Sequence, residues 1–177
     1  YKFKTKPYKH QVQALRKLFS NEINGGALLM EPRTGKTKVA IDYFSILAVK
    51  GECKKVVIIC PPRIMDEWMA QIHEHSPLLC NVTVWDSRSR REQRLPRISA
   101  HYDVTVVIVN YEAFATPGRK LKSGRRSRAN GRFKFRQLIK TWVGDDPCLC
   151  ILDESHKIQS PSGKASNMIV SMAPMFS

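Results

Sequence analysis

The chain has no apolar run long enough to cross a membrane. Its most apolar stretches, such as KVVIIC at 55–60 and VTVVIV at 104–109, are far shorter than the ~20 residues a spanning helix needs. No basic amphipathic anchor helix is evident either, so no membrane association is expected. The N-terminus, YKFKTKPYKH, lacks the apolar core of a signal peptide. It also lacks an initiator Met, and the sequence is expected to be a piece of a longer chain. Cysteine is sparse and unpaired in pattern: five residues, Cys53, Cys60, Cys80, Cys148 and Cys150, with no CxxC. That excludes a disulfide framework and a zinc ribbon, and it suggests reduced thiols in a cytosolic compartment. His73 and His75 stand two apart on an expected helix and do not share a face, so they read as surface residues. Acid is scarce as well. Asp and Glu number 15 against 30 Lys and Arg, a net charge of +15, which calls for a polyanionic partner, most simply nucleic acid.

What is present is enough for one domain with a real core: 177 residues, 42% of them apolar. After Pro7, Val12, Leu15, Leu18 and Phe19 recur at helical spacing. Ala27–Met30 reads as a short buried strand and 31–36 as a turn. Thr37 to Lys50 reads as a helix closed by Gly51. Lys55–Cys60 reads as a buried strand ended by Pro61 and Pro62, and Ile64 to Glu74 as a helix carrying Ile64, Trp68 and Ile72 in one stripe. Further strands are expected at 81–85, 104–109 and 148–152, with a short helix over 87–99 interrupted by Pro96 and a last helix over 162–172. Strands alternating with helices imply an α/β fold in three layers, a mainly parallel central sheet with helices on both faces. Ligands of such sheets bind at the carboxyl ends of the strands.

Two strings sit at those expected ends. In MEPRTGKT, Gly35 allows close backbone approach, Lys36 can reach phosphate oxygens, and the Thr37 hydroxyl can ligate magnesium. The pattern GxxxxGK[ST] is incomplete, because Met30 holds the first glycine position. In CLCILDESHKI, Asp153 can hold the same ion and Glu154 can orient or deprotonate a water, as phosphoryl transfer to water requires. Each string alone is a weak signal; in this order, after apolar runs, they describe two halves of an ATP-hydrolysing site with Mg2+ as its ion.

At this point the chain resembles the helicase superfamily 2 ATPases, specifically the SWI/SNF-like DNA translocases and their short phage and bacterial relatives, over about 7–172. The stretch Pro7-Tyr8-Lys9-His10-Gln11 is similar to that family's adenine-recognition element. The resemblance implies that Gln11 hydrogen-bonds adenine and Tyr8 packs on the base. MEPRTGKT resembles the family's first ATPase motif, with Arg33 and Thr34 in place of the usual Gly and Leu, so the implied phosphate-holding set is Arg33, Thr34, Gly35, Lys36 and Thr37. VVIICPPRIMDEWMAQI and VVIVNYEAF resemble two motifs whose strand ends face DNA, which implies contacts from Arg63, Asn110 and Tyr111; Trp68 matches a family Trp and reads as core packing. DESHKIQSPSGKAS is close to the DExH segment of the DNA translocases, with Gln159 where Lys is common. His156 reads as a relay of nucleotide state to another surface.

The resemblance implies a RecA-like P-loop fold, one N-terminal lobe over 1–177, working on double-stranded DNA with a second RecA-like lobe of the same protein. The family's next motif and the arginine fingers of that second lobe are not in this sequence, so weak or negligible ATPase activity is expected of this piece alone. The expected setting is the cytoplasm of a bacterial or phage-infected cell, with DNA. A basic insertion, about 117–136, contains no acid. Arg125, Arg126 and Arg128 are its candidate phosphate contacts, and Phe133 and Phe135 read as anchors to the core, with base stacking as the alternative. Two other readings remain at this stage: the motor of an RNA helicase or restriction-type subunit, and a nucleic-acid-binding module with a vestigial nucleotide site.

Overall fold

A computed structural model describes residues 1–20, 26–86, 95–115, 131–158 and 163–176. In chain order the elements are α1 (Lys9–Ser20), α2 (Lys36–Val49), β1 (Lys55–Cys60), a 3-10 turn (Pro62–Ile64), α3 (Met65–His75), β2 (Cys80–Trp85), β3 (Val104–Asn110), α4 (Glu112–Ala115), α5 (Gly131–Val143), β4 (Cys148–Leu152), a second 3-10 turn (Ser155–Ile158), α6 (Lys164–Met172) and a third (Ala173–Met175). The strands form one sheet in the order β2-β3-β1-β4, and every pairing is parallel.

Parallel order follows from burial on both faces. β1 and β3 are buried along their whole length, as their β-branched runs require. Side chains alternate between two cores. Val57, Ile59, Val107 and Val109 meet Phe114 of α4, Phe135, Ile139 and Trp142 of α5, and Ile169 and Met172 of α6. Val56, Ile58, Val106 and Ile108 face the other way, against Ile41 and Phe44 of α2 and Met65, Trp68 and Ile72 of α3. A third cluster, Leu15, Leu18 and Val39, docks α1 on the outside of α2. The three-layer α/β expectation is therefore met. Each fully buried Val or Ile contributes roughly 1.5–3 kcal/mol over its exposed state.

The topology also places the business end. Helix α2 runs back along the sheet before β1 begins, so its N-terminus lies at the carboxyl edge, where β1, β3 and β4 also end. Cys60 pairs with Asn110, and Ile59 with Leu152, so the exits of three neighbouring strands are level.

One expectation needs correction. Ala27–Met30 is not a strand; it runs as irregular chain with Leu29 95% exposed. An apolar run becomes a strand only beside a partner, and β4, the edge strand, pairs with β1 alone. Helix α5 starts at Gly131 and so takes in the tail of the basic segment. Phe135, 4% exposed, packs against Trp85 and Phe114 at ring distances of 5.2 and 5.1 Å, which is the anchoring role read for it. The expected helix over 87–99 falls partly outside the described residues, and 95–99 is irregular. Among the described residues no helix is long and apolar enough to cross a membrane.

One buried charge holds α5 to the sheet. The Lys55 ammonium, at the start of β1, donates to the carbonyls of Trp142 and Val143, each at 2.7 Å, and pairs with Asp146 at 2.6 Å. It thus satisfies the last carbonyls of α5, where a cation also suits the helix dipole. The hydrogen bond from Lys55 holds the Asp146 carboxyl below the ordinary aspartate range. Lys55→Met is expected to cost about 2–4 kcal/mol in urea unfolding at pH 7, because it leaves two carbonyls without their donor. Since the Asp146 pKa is depressed in the folded state, its share of stability is present above roughly pH 4 and lost as pH falls through the lower folded value. The gap between wild type and Lys55→Met should therefore narrow at pH 3.

Candidate functional site

The loop before α2 is shaped by two left-handed residues, Arg33 (φ 61) and Gly35 (φ 79). Between them the Thr34 hydroxyl donates to the Glu31 carbonyl at 2.6 Å. Gly35 is required twice over. Its positive φ is disfavoured for any residue with a Cβ, and a Cβ built there would run into the side-chain amide of Gln11. Gln11 lies underneath the loop, 2% exposed. Its carbonyl oxygen accepts the Tyr8 N–H at 2.9 Å and its amide donates to the Thr34 carbonyl at 3.1 Å. The His10 Nε2 is 3.0 Å from the same carbonyl. Tyr8, 71% exposed, stacks on His10 with ring centroids 5.7 Å apart. The start of α1 is thus bolted to the loop, and Gln11 is a brace as well as the implied base reader.

Lys36 opens α2. Its ammonium donates back to the carbonyls of Met30 and Glu31 at 3.1 and 3.3 Å, and Thr37 follows in the first turn. No acid occupies that turn. The first N–H groups of a helix have no carbonyl partner within it, and the dipole makes that end positive. An acid-free first turn carrying Lys36 therefore suits an anion.

The acidic half sits past β4. The Asp153 N–H donates to the Ile59 carbonyl at 2.9 Å, continuing the β1–β4 pairing beyond the strand. The Tyr111 hydroxyl donates to the Asp153 carbonyl at 2.7 Å, and the Trp68 indole N–H donates to the Asp153 Oδ2 at 2.8 Å. The backbone N–H, the backbone carbonyl and one carboxylate oxygen of Asp153 are thus each engaged by a neighbouring element. Glu154 is left-handed (φ 56), a conformation that costs a non-glycine residue of order 1–3 kcal/mol and collects at functional sites. Its exposed carboxylate pairs with the His156 Nδ1 at 3.1 Å. Burial, and then the charge of Asp153, pushes the Cys60 thiol up to about 12. The same two causes, in the same order, raise the Tyr111 phenol well above its ordinary range. Near neutral pH both stay protonated, so Tyr111 serves as a donor and Cys60 supplies no thiolate.

The residues expected to meet nucleic acid are placed differently from one another. Arg63 is exposed in the turn at the end of β1. Asn110 is fully buried and Tyr111 is 7% exposed, so in this structure neither side chain is presented to a polyanion; Tyr111 works beneath Asp153 instead. Arg125, Arg126 and Arg128 lie outside the described residues, as does Gln159. The contact that sequence reasoning missed is that of Trp68. Its burial was expected and holds, at 3% exposure, but a buried indole also needs an acceptor for its N–H, and that requirement was the signal that pointed beyond packing.

The family described as the SNF2-related domain matches residues 8–174 of this chain. The ATP-dependent helicase fft3 of Schizosaccharomyces pombe is 24% identical over 152 residues, which is 85% of this chain and 14% of the helicase. Among solved structures, the SWI2/SNF2 ATPase core of Sulfolobus solfataricus in complex with dsDNA has the same fold, with a TM-score of 0.63 and 19% identity. That likeness covers 96% of this chain and 30% of that one. The chain thus spans less than a third of either relative.

The brace under the loop can be tested without any ligand. Gly35→Ala is expected to destabilise by about 1–3 kcal/mol in urea unfolding. Part of that cost is the collision with Gln11, so in a Gln11→Ala background the same substitution should cost less, with a coupling of at least about 0.5 kcal/mol.

Proposed function

The chain belongs to the SNF2-related domain family, and from that premise we propose that it is the ATP-binding lobe of an ATP-dependent motor moving on double-stranded DNA. The observation that carries this reading is the topology, which sets two polar segments at the carboxyl end of one parallel sheet. The acid-free start of α2 follows the left-handed Gly35, and Asp153 and Glu154 follow β4. The first suits phosphates and the second suits a divalent cation and a water.

The residues fit ATP and Mg2+. Lys36 donates to the loop carbonyls of Met30 and Glu31, bonds that phosphate oxygens can replace. Among the described residues no cluster of three or more His, Cys, Asp or Glu could hold a metal. Magnesium is commonly held by one or two protein oxygens together with substrate phosphates; Thr37 and Asp153 would be those oxygens here. Bound there, the ion would neutralise charge on the phosphates. Lys36 and the first N–H groups of α2 hold the phosphate chain. Arg33 and Thr34 would border it, and Tyr8, exposed at the start of α1, and Gln11 are the residues the family resemblance offers to the base. Glu154 orients the attacking water and accepts its proton, and its pairing with His156 makes that carboxylate responsive to whatever displaces the imidazole.

DNA enters through charge. The net charge of +15, the exposed Arg63 at the sheet's carboxyl edge, and Arg125, Arg126 and Arg128 of the basic insertion support binding to a phosphate backbone. The remainder of the motor, a second RecA-like lobe with arginine fingers, is read from the family and from the small share of the relatives that this chain covers. Such fingers are worth ~10³–10⁵ in rate, so the chain alone should hydrolyse ATP slowly. The cytoplasm of a bacterial or phage-infected cell is the setting this reading implies.

Glu154→Gln in the protein carrying this chain should keep nucleotide binding and lower DNA-stimulated phosphate release by about 10²–10⁴. Phosphate release that persists at the wild-type rate would remove Glu154 from the chemistry. Neutralising Arg125, Arg126 and Arg128 should weaken duplex DNA binding and flatten its salt dependence by roughly 0.9 in log–log slope per lost phosphate contact. An unchanged slope would take the insertion out of the interface.

A further inference from the structure

We infer that Trp68 is a positioning residue for the metal-ligating carboxylate, fixing Asp153 through its indole N–H; this rests on the ATP–Mg2+ reading above. Trp68 lies three residues into α3, which packs on one face of the sheet. Its ring is 3% exposed, as a core residue's would be, yet its nitrogen is spent on the Oδ2 of Asp153 at 2.8 Å. A carboxylate at a strand end can rotate about its terminal torsion, a broad and soft one. The indole donor removes that freedom from one oxygen while the second oxygen of the same group keeps its capacity to accept or ligate.

The rest of Asp153 is already immobile. Its N–H is held by the Ile59 carbonyl and its carbonyl by the Tyr111 hydroxyl, so backbone placement comes from β1 and the end of β3. The two side-chain torsions remain to be set, and Trp68 restrains them by holding Oδ2. Outer-shell donors of this kind orient metal ligands, and their loss commonly costs 10–100-fold in metal affinity. A Phe at this position would fill nearly the same space and donate nothing. The packing role and the positioning role of Trp68 are therefore separable.

The test is Trp68→Phe, read through binding rather than turnover. Fluorescence of mant-ATP is titrated at fixed Mg2+, and then Mg2+ is titrated at fixed mant-ATP, on wild type and variant, with thermal unfolding in parallel. The positioning role predicts that the Mg2+ concentration for half-maximal response rises roughly tenfold or more, while mant-ATP affinity in EDTA stays within twofold of wild type. A Mg2+ requirement that is unchanged, or that shifts only in step with metal-free affinity and melting temperature, would overturn it and leave Trp68 as packing. Wild-type protein whose mant-ATP binding does not respond to Mg2+ at all would instead overturn the nucleotide reading beneath it, so the two failures are distinct. Should the variant not fold, wild type labelled with 5-fluorotryptophan gives three ¹⁹F signals, one per Trp. The Trp68 signal, assigned by its response to Asp153→Asn, must shift when Mg2+ is added to the mant-ATP complex; a signal indifferent to Mg2+ would overturn the proposal equally.

Discussion

Burial of β1 and β3 on both faces is the constraint from which the rest follows. Neither strand has a solvent side: Val56, Val57, Ile58, Val106, Val107 and Ile108 are all 0% exposed. Such two-sided burial is what a parallel sheet provides, because its strands are joined by helical crossovers that cover both faces. Parallel strands end together, and helices that return along them begin where they end. Polar segments that cannot be buried in such a sheet collect at that edge. The loop before α2, Arg63, Tyr111, Asp153 and Glu154 share one rim for that reason, although they are spread across most of the sequence.

The two halves of the site are held by different means. The phosphate-type loop is braced from below by a side chain, Gln11, whose amide would have to shift to admit a Cβ at position 35. Asp153 is clasped by three neighbours, through Ile59, Tyr111 and Trp68. Left-handed residues occur in both, at Arg33, Gly35 and Glu154. Conformations of this cost persist only where surroundings over-determine them, and in both places the surrounding hydrogen bonds do so. Rigidity at the loop and at Asp153 contrasts with the exposed Glu154–His156 pair, which has room to exchange partners.

Much of this was legible in the sequence because the signals were local. The runs VVIIC and VTVVIV are rich in β-branched residues, CLCIL is apolar throughout, and all three are strands. GKT and DESH carry their chemistry in residue type and spacing. Ala27–Met30 misled because an apolar tetrapeptide says nothing about whether a strand lies beside it, and among the described residues none does. Asn110 and Tyr111 were offered to DNA by the family resemblance; whether such a residue points outward or under its neighbour is decided far along the chain, for Tyr111 at Asp153, 42 residues on and just past β4. Trp68 and Lys55 show the same limit. Each meets its partner across 85 residues or more, a distance over which no spacing rule operates.

Equilibrium binding of mant-ATP by this chain, with and without Lys36→Ala, tests most directly the claim that the braced loop and the clasped Asp153 form one nucleotide site. The account predicts saturable, Mg2+-responsive binding that Lys36→Ala weakens by at least about tenfold, since it removes a charge-assisted contact worth roughly 1.5–3 kcal/mol, with the fold's melting temperature unchanged. Binding of equal strength in wild type and Lys36→Ala would contradict it.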